Sequence, residues 1–302
     1  MAQDVKYPLF PGPVPSGSAA AEGTYAASAN PAVSGPSGPS PAAATLLSVL
    51  EGTATGNLLA AYSAQDLTIE VLAQNDPAME DFSDNGEENL KVVTAIASVF
   101  SVVAGPAASG LLSKAVQCDI WGVGVGYRVA MASGTNSFPA VVTSGVIVFQ
   151  RQGYAGAGTA RPGLVRLSHD PGAQTNEIAF SQGQPGSYYW SRDDNGTPRA
   201  GLAHGQETTW QMLHYWQVSS TEWSYAVSDL SGTYKDIGTA TFDNTPTTVP
   251  GYAGISFGSG PFSSTNNTVD PILWALHAPY SGTVPGDSDF EDIFDAIVLE
   301  LP

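Results

Sequence analysis

The chain of 302 residues contains ten Lys and Arg residues against 28 Asp and Glu residues, which gives it a formal net charge of −18. No basic residue occurs between Lys6 and Lys91 or after Lys235, so the chain lacks the positive surface that neutralises phosphate groups. These features exclude nucleic acid and anionic membranes as expected partners, and the single cysteine, Cys118, excludes an internal disulfide.

The first 44 residues predict an extended N-terminal arm, because they are dominated by Pro, Gly, Ser and Ala. Such a composition buries too little apolar area to offset the entropy of ordering. The start of the chain has no secretory signal, so we expect cytosolic synthesis and a final location on a virion or particle surface. We expect the arm to bind neighbouring subunits or further copies of the chain through scattered anchors, which are Tyr7, Leu9, Phe10, Val14 and Tyr25.

Residues 45–117 predict a small helical region. The apolar spacing in Leu46–Leu50 and Leu58–Tyr62 suits short helices, and Leu111–Val116 suits another. Val92–Val103 is apolar apart from three polar residues, whose spacing places them on one side of a helix. Because this stretch is shorter than the roughly twenty residues that a spanning helix needs, we expect a buried packing helix and no membrane-spanning segment.

An acidic loop follows the first predicted helices, and its carboxylates are the kind of ligand that calcium takes. Its acidic residues are Asp76, Glu80, Asp81, Asp84, Glu87 and Glu88. Their spacing does not match a helix–loop–helix calcium site, because the alternate acids and the distal Glu are missing. The four histidines are scattered, without a His-x-x-x-His pattern. We therefore predict no metal site and no cofactor, with calcium at residues 76–88 as an open alternative.

Residues 118–302 predict an antiparallel β domain, and its clearest part is Thr208–Phe242. Apolar or aromatic residues alternate along a first strand, at Trp210, Met212, His214, Trp216 and Val218. They alternate again along a second strand, at Trp223, Tyr225 and Val227, after a tight turn. We expect a second sheet to cover these aromatic side chains, because each buries a large apolar area. The fold class is therefore mainly β, an antiparallel jelly-roll or β-sandwich.

The order of features from Thr208 onward carries a family resemblance. The Trp-led strand and its hairpin are followed by a Gly-containing strand at Gly254–Gly258 and by an apolar segment, Phe290–Leu299, that would close the fold as a strand. This order resembles the concanavalin A-like lectin and glucanase superfamily. The resemblance implies a jelly roll over residues 118–302 and supports the fold more than the function.

The glucanase branch of that superfamily implies two catalytic carboxylates close together on one strand. The acidic residues near the C-terminus do not reproduce this spacing and are expected in a solvated turn at the strand entrance; they are Asp287, Asp289, Glu291, Asp292 and Asp295. His214 lies on the aromatic face of its strand, where a histidine is more often a packed core residue than a ligand. We therefore expect the protein not to be an enzyme.

The leading functional hypothesis is a non-catalytic structural protein of a virion or other multi-subunit particle, of capsid, decoration or fibre type. The composition of the arm, a charged fraction of only 13% and the missing catalytic constellation motivate it. A pore-forming toxin is one alternative, because the predicted helices at Val92–Val116 stand beside a β domain.

A carbohydrate-binding, lectin-like module for surface attachment is the other alternative. Three aromatic residues precede a hairpin turn, and aromatic rings stack on sugars. Since successive strand residues face opposite ways, all three rings can be core only if both faces of the strand are covered. The predicted glycan patch consists of Tyr188, Tyr189, Trp190, Asp193 and Asn195.

Overall fold

The computed structural model describes residues 45–53, 57–85, 89–92, 100–118, 131–133, 141–152, 163–168, 177–182, 188–192, 198–203, 208–219, 222–243, 254–257 and 272–302. The predicted arm, residues 1–44, lies outside these ranges. The described residues form two helices, α1 (Leu46–Gly52) and α2 (Asp287–Glu300). They also form the strands β1 (Asn57–Leu58), β2 (Tyr62–Ser63), β3 (Pro77–Asp81), β4 (Leu90–Val92), β5 (Phe100–Ala104), β6 (Lys114–Cys118), β7 (Met131–Ser133), β8 (Val142–Arg151), β9 (Gly163–Ser168), β10 (Glu177–Gln182), β11 (Tyr188–Arg192), β12 (Pro198–Ala203), β13 (Trp210–Ser219), β14 (Glu222–Asp229), β15 (Gly238–Asp243), β16 (Gly254–Phe257) and β17 (Ile272–Ser281).

The strands form two antiparallel sheets. In sheet 1 the order is β15, β14, β13, β8, β17. The edge of β17 that faces away from β8 pairs along its length with three short strands, β6, β2 and β1. In sheet 2 the order is β12, β11, β10, β9, β16, β7, β4, β3. Strand β3 also pairs with β2 and so connects the two sheets. The predicted antiparallel β-sandwich class is confirmed.

Sheet 1 is buried on both faces. Its inner face packs against sheet 2, and this layer includes Phe149, Tyr215, Trp223, Trp274 and Leu167. The indole Nε1 of Trp274 in β17 donates a hydrogen bond to the Leu164 carbonyl of β9 at 3.2 Å. Its outer face packs against α1 and α2, and this second layer includes Val148, Met212, Leu50, Phe290 and Ile297. The C-terminal helix is therefore a structural layer of the domain.

The C-terminal segment differs from the prediction, because Phe290–Leu299 is helical and is not a closing strand. Its large buried side chains follow a spacing of three, one and three positions, which is the apolar stripe of a helix: Phe290, Ile293, Phe294 and Ile297. Asp287 and Asp289 stand in its first turn, where carboxylates interact favourably with the helix dipole. The Asp289 carboxylate also accepts a hydrogen bond from the Gly286 amide at 2.8 Å. The predicted solvated turn at a strand entrance is thus the first turns of α2.

The partner of the aromatic face of β13 also differs from the prediction. Met212 belongs to the layer under the helices, and His214 and Trp216 contact Phe290 of α2. Val218, at the end of the same face, is exposed. On β14, by contrast, Trp223, Tyr225 and Val227 do face sheet 2. A helix therefore covers the β13 face for which a second sheet was expected, because the chain returns over sheet 1 as α2.

The predicted N-terminal helix is confirmed at Leu46–Gly52, where the Thr45 hydroxyl accepts a hydrogen bond from the Ser48 amide. The other predicted helices are wrong where the structure describes them. Leu58 and Tyr62 lie in the short strands β1 and β2, and residues 100–104 and 114–118 form the pair β5 and β6. Phe100 and Val102 are buried and Ser101 between them is not, which is the alternation of a strand.

Gly145 of β8 provides the space that Tyr215 of β13 occupies opposite it. A Cβ on Gly145 would overlap the Tyr215 phenol, which is fully buried and hydrogen-bonded to His277 Nε2 at 2.9 Å. We expect Gly145→Ala to lower the free energy of unfolding by about 1–3 kcal/mol, the usual cost of overpacking a core. Urea unfolding measures this loss.

The adjacent variant Ser144→Ala is the matched control for this substitution. Ser144 is equally buried, and its hydroxyl has no hydrogen-bond partner among the described residues. Removal of an unpaired hydroxyl is expected to change the free energy of unfolding by less than about 0.5 kcal/mol. Equal losses in the two variants would contradict the steric explanation.

Candidate functional site

The predicted glycan patch lies partly within the described residues. Tyr188, Tyr189 and Trp190 open β11, which is the second strand from the β12 edge of sheet 2. Tyr189 pairs with Leu202 of β12, and Trp190 pairs with Ser181 of β10. Asp193 and Asn195 lie outside the described residues, as do the five predicted arm anchors, Tyr7, Leu9, Phe10, Val14 and Tyr25. The patch and the anchors therefore stay predictions.

A groove of about 510 Å³ opens beside Trp210, and we call it the Trp210 groove. Four segments of the chain form it: the end of β8, the start of β13, the loop after β14 and the C-terminal part of α2. Its lining residues are Gln150, Thr208, Thr209, Trp210, Leu230, Ser231, Val298, Leu301 and Pro302. Trp210 is half-buried and packs partly against the apolar layer under the helices. Its indole thus lines an accessible groove while its other contacts hold it in place.

Asp229, at the end of β14, organises the polar wall of this groove. The Thr209 hydroxyl donates a hydrogen bond to Asp229 Oδ2 at 3.0 Å. The Ser231 amide and hydroxyl both donate to Asp229 Oδ1, at 2.9 and 2.8 Å. Gln150 Nε2 donates to the Thr208 carbonyl at 2.7 Å, and the Leu230 amide donates to the Trp210 carbonyl at 2.9 Å. Backbone and side chains of the groove are therefore fixed by short-range hydrogen bonds.

A second polar cluster lies under α2 and joins a buried histidine to the surface. His214 Nε2 lies 3.2 Å from the Tyr234 hydroxyl, which donates a hydrogen bond to Asp287 Oδ1 at 3.0 Å. Since a phenol has one proton, His214 Nε2 must be the donor to the Tyr234 oxygen. Lys235 Nζ forms an ion pair with Asp287 Oδ1 at 2.5 Å and lies over the rings of Trp216 and Tyr234. We call this set the His214 cluster.

The electrostatics of the His214 cluster favour a structural role. Burial lowers the pKa of His214 to about 3, with Lys235 lowering it further and Asp287 opposing. Burial also raises the pKa of the Tyr234 phenol, as does its hydrogen bond to Asp287. The Lys235 ammonium is the main cause that lowers the pKa of Asp287. His214 is completely buried and stacks on Phe290 at 4.5 Å between ring centroids, so the prediction of a packed core histidine is confirmed.

His277 and Tyr215 form a further buried polar pair, between the sheets. Their hydrogen bond of 2.9 Å joins β17 to β13 across β8. Burial lowers the pKa of His277 to about 3 and raises the pKa of the Tyr215 phenol. Both side chains are inaccessible to solvent, so this pair stabilises the interior and does not meet a ligand.

Carboxylates in the described part of the acidic loop hold the backbone in place. Asp76 accepts a hydrogen bond from the Ala73 amide, and Asp81 accepts from the Ala61 and Ser83 amides. Within the described ranges, no three His, Cys, Asp or Glu side chains come together in an arrangement that would hold a metal ion. Residues 86–88 of the loop lie outside these ranges. Among the described helices, none is long and apolar enough to span a membrane.

Sequence reasoning missed the Trp210 groove. The alternation along the strand predicts that Trp210 lies on an apolar face covered by a second sheet, although Trp210 is the first residue of its strand and follows two exposed threonines. That position at the strand start was the available signal, because a strand end next to polar loops is often accessible. No sequence pattern predicts the wall formed by Val298 and Leu301, because its position depends on where α2 ends on the sheet.

Comparisons with known proteins place the fold but not a family. No protein-family model matches the sequence, and no curated protein matches it. Domain 4 of a GH43 extracellular arabinanase from Geobacillus stearothermophilus, solved in complex with arabinotriose, has a TM-score of 0.50 and 14% identity, covering 79% of this chain and 98% of that one. This identity shows a shared fold alone.

Two toxin structures are similar at a lower level. The botulinum neurotoxin serotype D binding domain gives a TM-score of 0.47 with 7% identity, over 79% of this chain and 51% of that one. The binding domain of Paraclostridial Mosquitocidal Protein 1 gives 0.45 with 13% identity, over 80% and 52%. The chain thus spans about half the length of these toxin structures. The class defined is an antiparallel β-sandwich, and the concanavalin A-like relation stays a resemblance.

Proposed function

We propose that this protein is a non-catalytic carbohydrate-binding domain and that the Trp210 groove binds the sugar. The observation that carries the proposal is the half-buried indole of Trp210 in an open groove with hydroxyl and amide groups beside it. A flat aromatic ring binds the apolar face of a sugar, and nearby polar groups orient its hydroxyls. The groove is also within the usual volume of ligand sites, about 300–1,000 Å³.

The fold comparison supports the same class of function. The arabinanase domain that shares the sandwich over nearly its whole length was solved with arabinotriose bound, so this type of fold can hold an oligosaccharide. The predicted patch on β11, Tyr188 to Asn195, remains a second candidate site within the same proposal.

The other two hypotheses have less support. The particle hypothesis keeps only its sequence argument, because the arm lies outside the described residues. The toxin hypothesis loses its main motivation, because the described parts of Val92–Val116 are strands and a turn.

Glycan binding is the test of the proposed function. The purified chain is applied to an array of oligosaccharides, including arabinotriose, and affinities of the bound members are measured by titration calorimetry. We expect Trp210→Ala to weaken binding by about tenfold or more, as removal of a central aromatic anchor usually does. Trp210→Phe, which keeps a ring, is expected to lose less. The absence of binding to any member at millimolar concentration would overturn the proposal.

A paired variant assigns the binding to one of the two candidate sites. Trp190→Ala removes an aromatic residue of the predicted β11 patch, which is distant in sequence from the residues given as the lining of the groove. We expect Trp190→Ala to retain the affinity of the unmodified chain and Trp210→Ala to lose it. The opposite result would move the site to β11 and leave carbohydrate binding in place. Thermal melting of each variant shows whether it is folded.

A further inference from the structure

The hydrogen bonds of Asp229 determine what the walls of the Trp210 groove can offer a ligand. A hydroxyl has one proton to donate and two lone pairs that accept. Thr209 and Ser231 both direct that proton to the Asp229 carboxylate. Their oxygens therefore meet a ligand as acceptors, and the partners they suit are hydroxyl donors.

The charge around the groove also favours uncharged hydroxyl donors over anionic ligands. Among the described residues that line it there is no Lys or Arg, and Asp229 places a negative charge directly behind Thr209 and Ser231. Lys235, the basic residue of the same loop, is paired with Asp287 in the His214 cluster. The second amide proton of Gln150 and the Thr208 hydroxyl are neutral donors. Sites for carboxylate or sulfate usually present Arg or Lys, because charge-assisted hydrogen bonds are the strong ones.

We infer that the Trp210 groove selects uncharged oligosaccharides and rejects glycans that carry a carboxylate or sulfate, with Asp229 as the residue that determines this specificity. The inference rests on the proposed function and names the ligand class for the same groove. Asp229 acts through Thr209 and Ser231. Its carboxylate fixes their hydroxyl oxygens as acceptors toward the ligand and places a negative charge next to them.

The experiment compares neutral and anionic glycans that share a core. Lactose and sialyllactose form one such pair, and neutral and sulfated forms of the array's other oligosaccharides form more. We expect each anionic form to bind at least about tenfold more weakly than its neutral counterpart at low salt. Since the repulsion is electrostatic, added salt should bring the affinity for the anionic form closer to the affinity for the neutral form. The salt series uses the unmodified chain and does not depend on how any variant folds.

Asp229→Asn tests the residue itself. An asparagine has one acceptor oxygen and one donor amide, so one of the two hydroxyls must turn its proton toward the ligand. We expect the ratio of neutral to anionic affinity to fall by about five- to tenfold, the effect of one charge at short range. Asp236→Asn is the matched control: it removes the same charge from the same loop, where Asp236 accepts from the Thr233 amide and does not hold the groove.

The outcomes separate the inference from the proposed function. If sialylated or sulfated members bind as well as neutral ones, or if Asp229→Asn and Asp236→Asn change the ratio equally, the inference is wrong while carbohydrate binding stands. If no glycan binds, the proposed function fails and the inference with it. If neutral glycans bind selectively and only Asp229→Asn reduces the selectivity, both are supported.

Discussion

Acidification from pH 7 to pH 4.5 is expected to lower the free energy of unfolding by several kcal/mol, because two histidines are buried in their neutral form. Burial lowers the pKa of His214 and of His277 from 6.5 to about 3. Below about pH 6.5 the unfolded chain binds a proton at each histidine, whereas the folded chain does not until about pH 3. Between these two pH values, each histidine lowers the free energy of unfolding by about 1.4 kcal/mol for every pH unit of acidification.

The sign of this effect follows from the lowered pKa of both groups. Their contribution to stability is complete above pH 6.5 and declines as the pH falls toward about 3. Lys235 and Asp287 face His214 and oppose each other, so burial decides the direction there. The lowered pKa of Asp287 also makes its ion pair stabilising, but that contribution is lost only at lower pH, as the carboxylate itself becomes protonated.

Urea unfolding at several pH values between 7.5 and 4.5 measures the effect, and His277→Gln isolates one of its sources. Glutamine reaches the position of Nε2 and can keep a hydrogen bond with Tyr215, but it does not titrate. We expect the variant to be less stable at pH 7.5, and its stability to fall less steeply on acidification, by up to about 1.4 kcal/mol per pH unit. An unchanged slope would show that His277 does not titrate on unfolding in this range.

The sequence predicted the β13–β14 hairpin of sheet 1 well, because its pattern is local. Alternation on both sides of a short turn is enough to define β13 and β14, and Tyr215 pairs with Tyr225 as a hairpin there requires. The strand at β16 was predicted for the same reason. Such patterns identify a strand, but they do not identify what covers it. The face of β13 that carries Trp210 and His214 could pack on a sheet or on a helix equally well.

The C-terminal segment shows why part of the fold was missed. The helical spacing of Phe290, Ile293, Phe294 and Ile297 was present in the sequence. The order of elements in a β superfamily favoured a strand, and short apolar runs fit either period. At residues 100–118 the difference is the reverse, because the sequence pattern predicts helices and the structure has the strand pair β5 and β6. Tertiary context decided both segments: one lies on the outer face of sheet 1, and the other pairs with the edge of β17.

The candidate site was harder to predict than the fold, because its parts are distant in sequence. Gln150, Trp210, Ser231 and Val298 meet only after β8 pairs with β13 and α2 packs across sheet 1. The hydrogen bonds of Asp229 to Thr209 and Ser231 likewise depend on the antiparallel register of β13 and β14. Aromatic residues in a row, such as those of β11, are easier to see in a sequence than a groove formed by single residues of four segments.

Phe290→Ala is expected to lower the free energy of unfolding by about 3–5 kcal/mol, the usual cost of deleting a buried aromatic side chain. Phe290 is nearly completely buried and its ring lies 4.5 Å from His214 and 6.1 Å from Trp216, between ring centroids. Its removal would leave a cavity between α2 and β13. Urea unfolding measures the loss, and the tryptophan fluorescence of the folded variant should change because Trp216 borders the cavity.

Leu299→Ala provides the matched control on the same helix, because Leu299 is 82% exposed. The free energy of unfolding of Leu299→Ala should differ from that of the unmodified chain by no more than about 0.5 kcal/mol, as for other surface substitutions. The pair also separates a helix from the strand that the sequence pattern suggested. In a helix, Phe290 and Ile293 share the buried stripe, so Ile293→Ala should also cost about 2–5 kcal/mol. In a strand the two residues would face opposite sides. A large loss for Phe290→Ala together with a negligible one for Ile293→Ala would therefore contradict the packing of α2 on sheet 1, and with it the wall that Val298 and Leu301 give to the Trp210 groove.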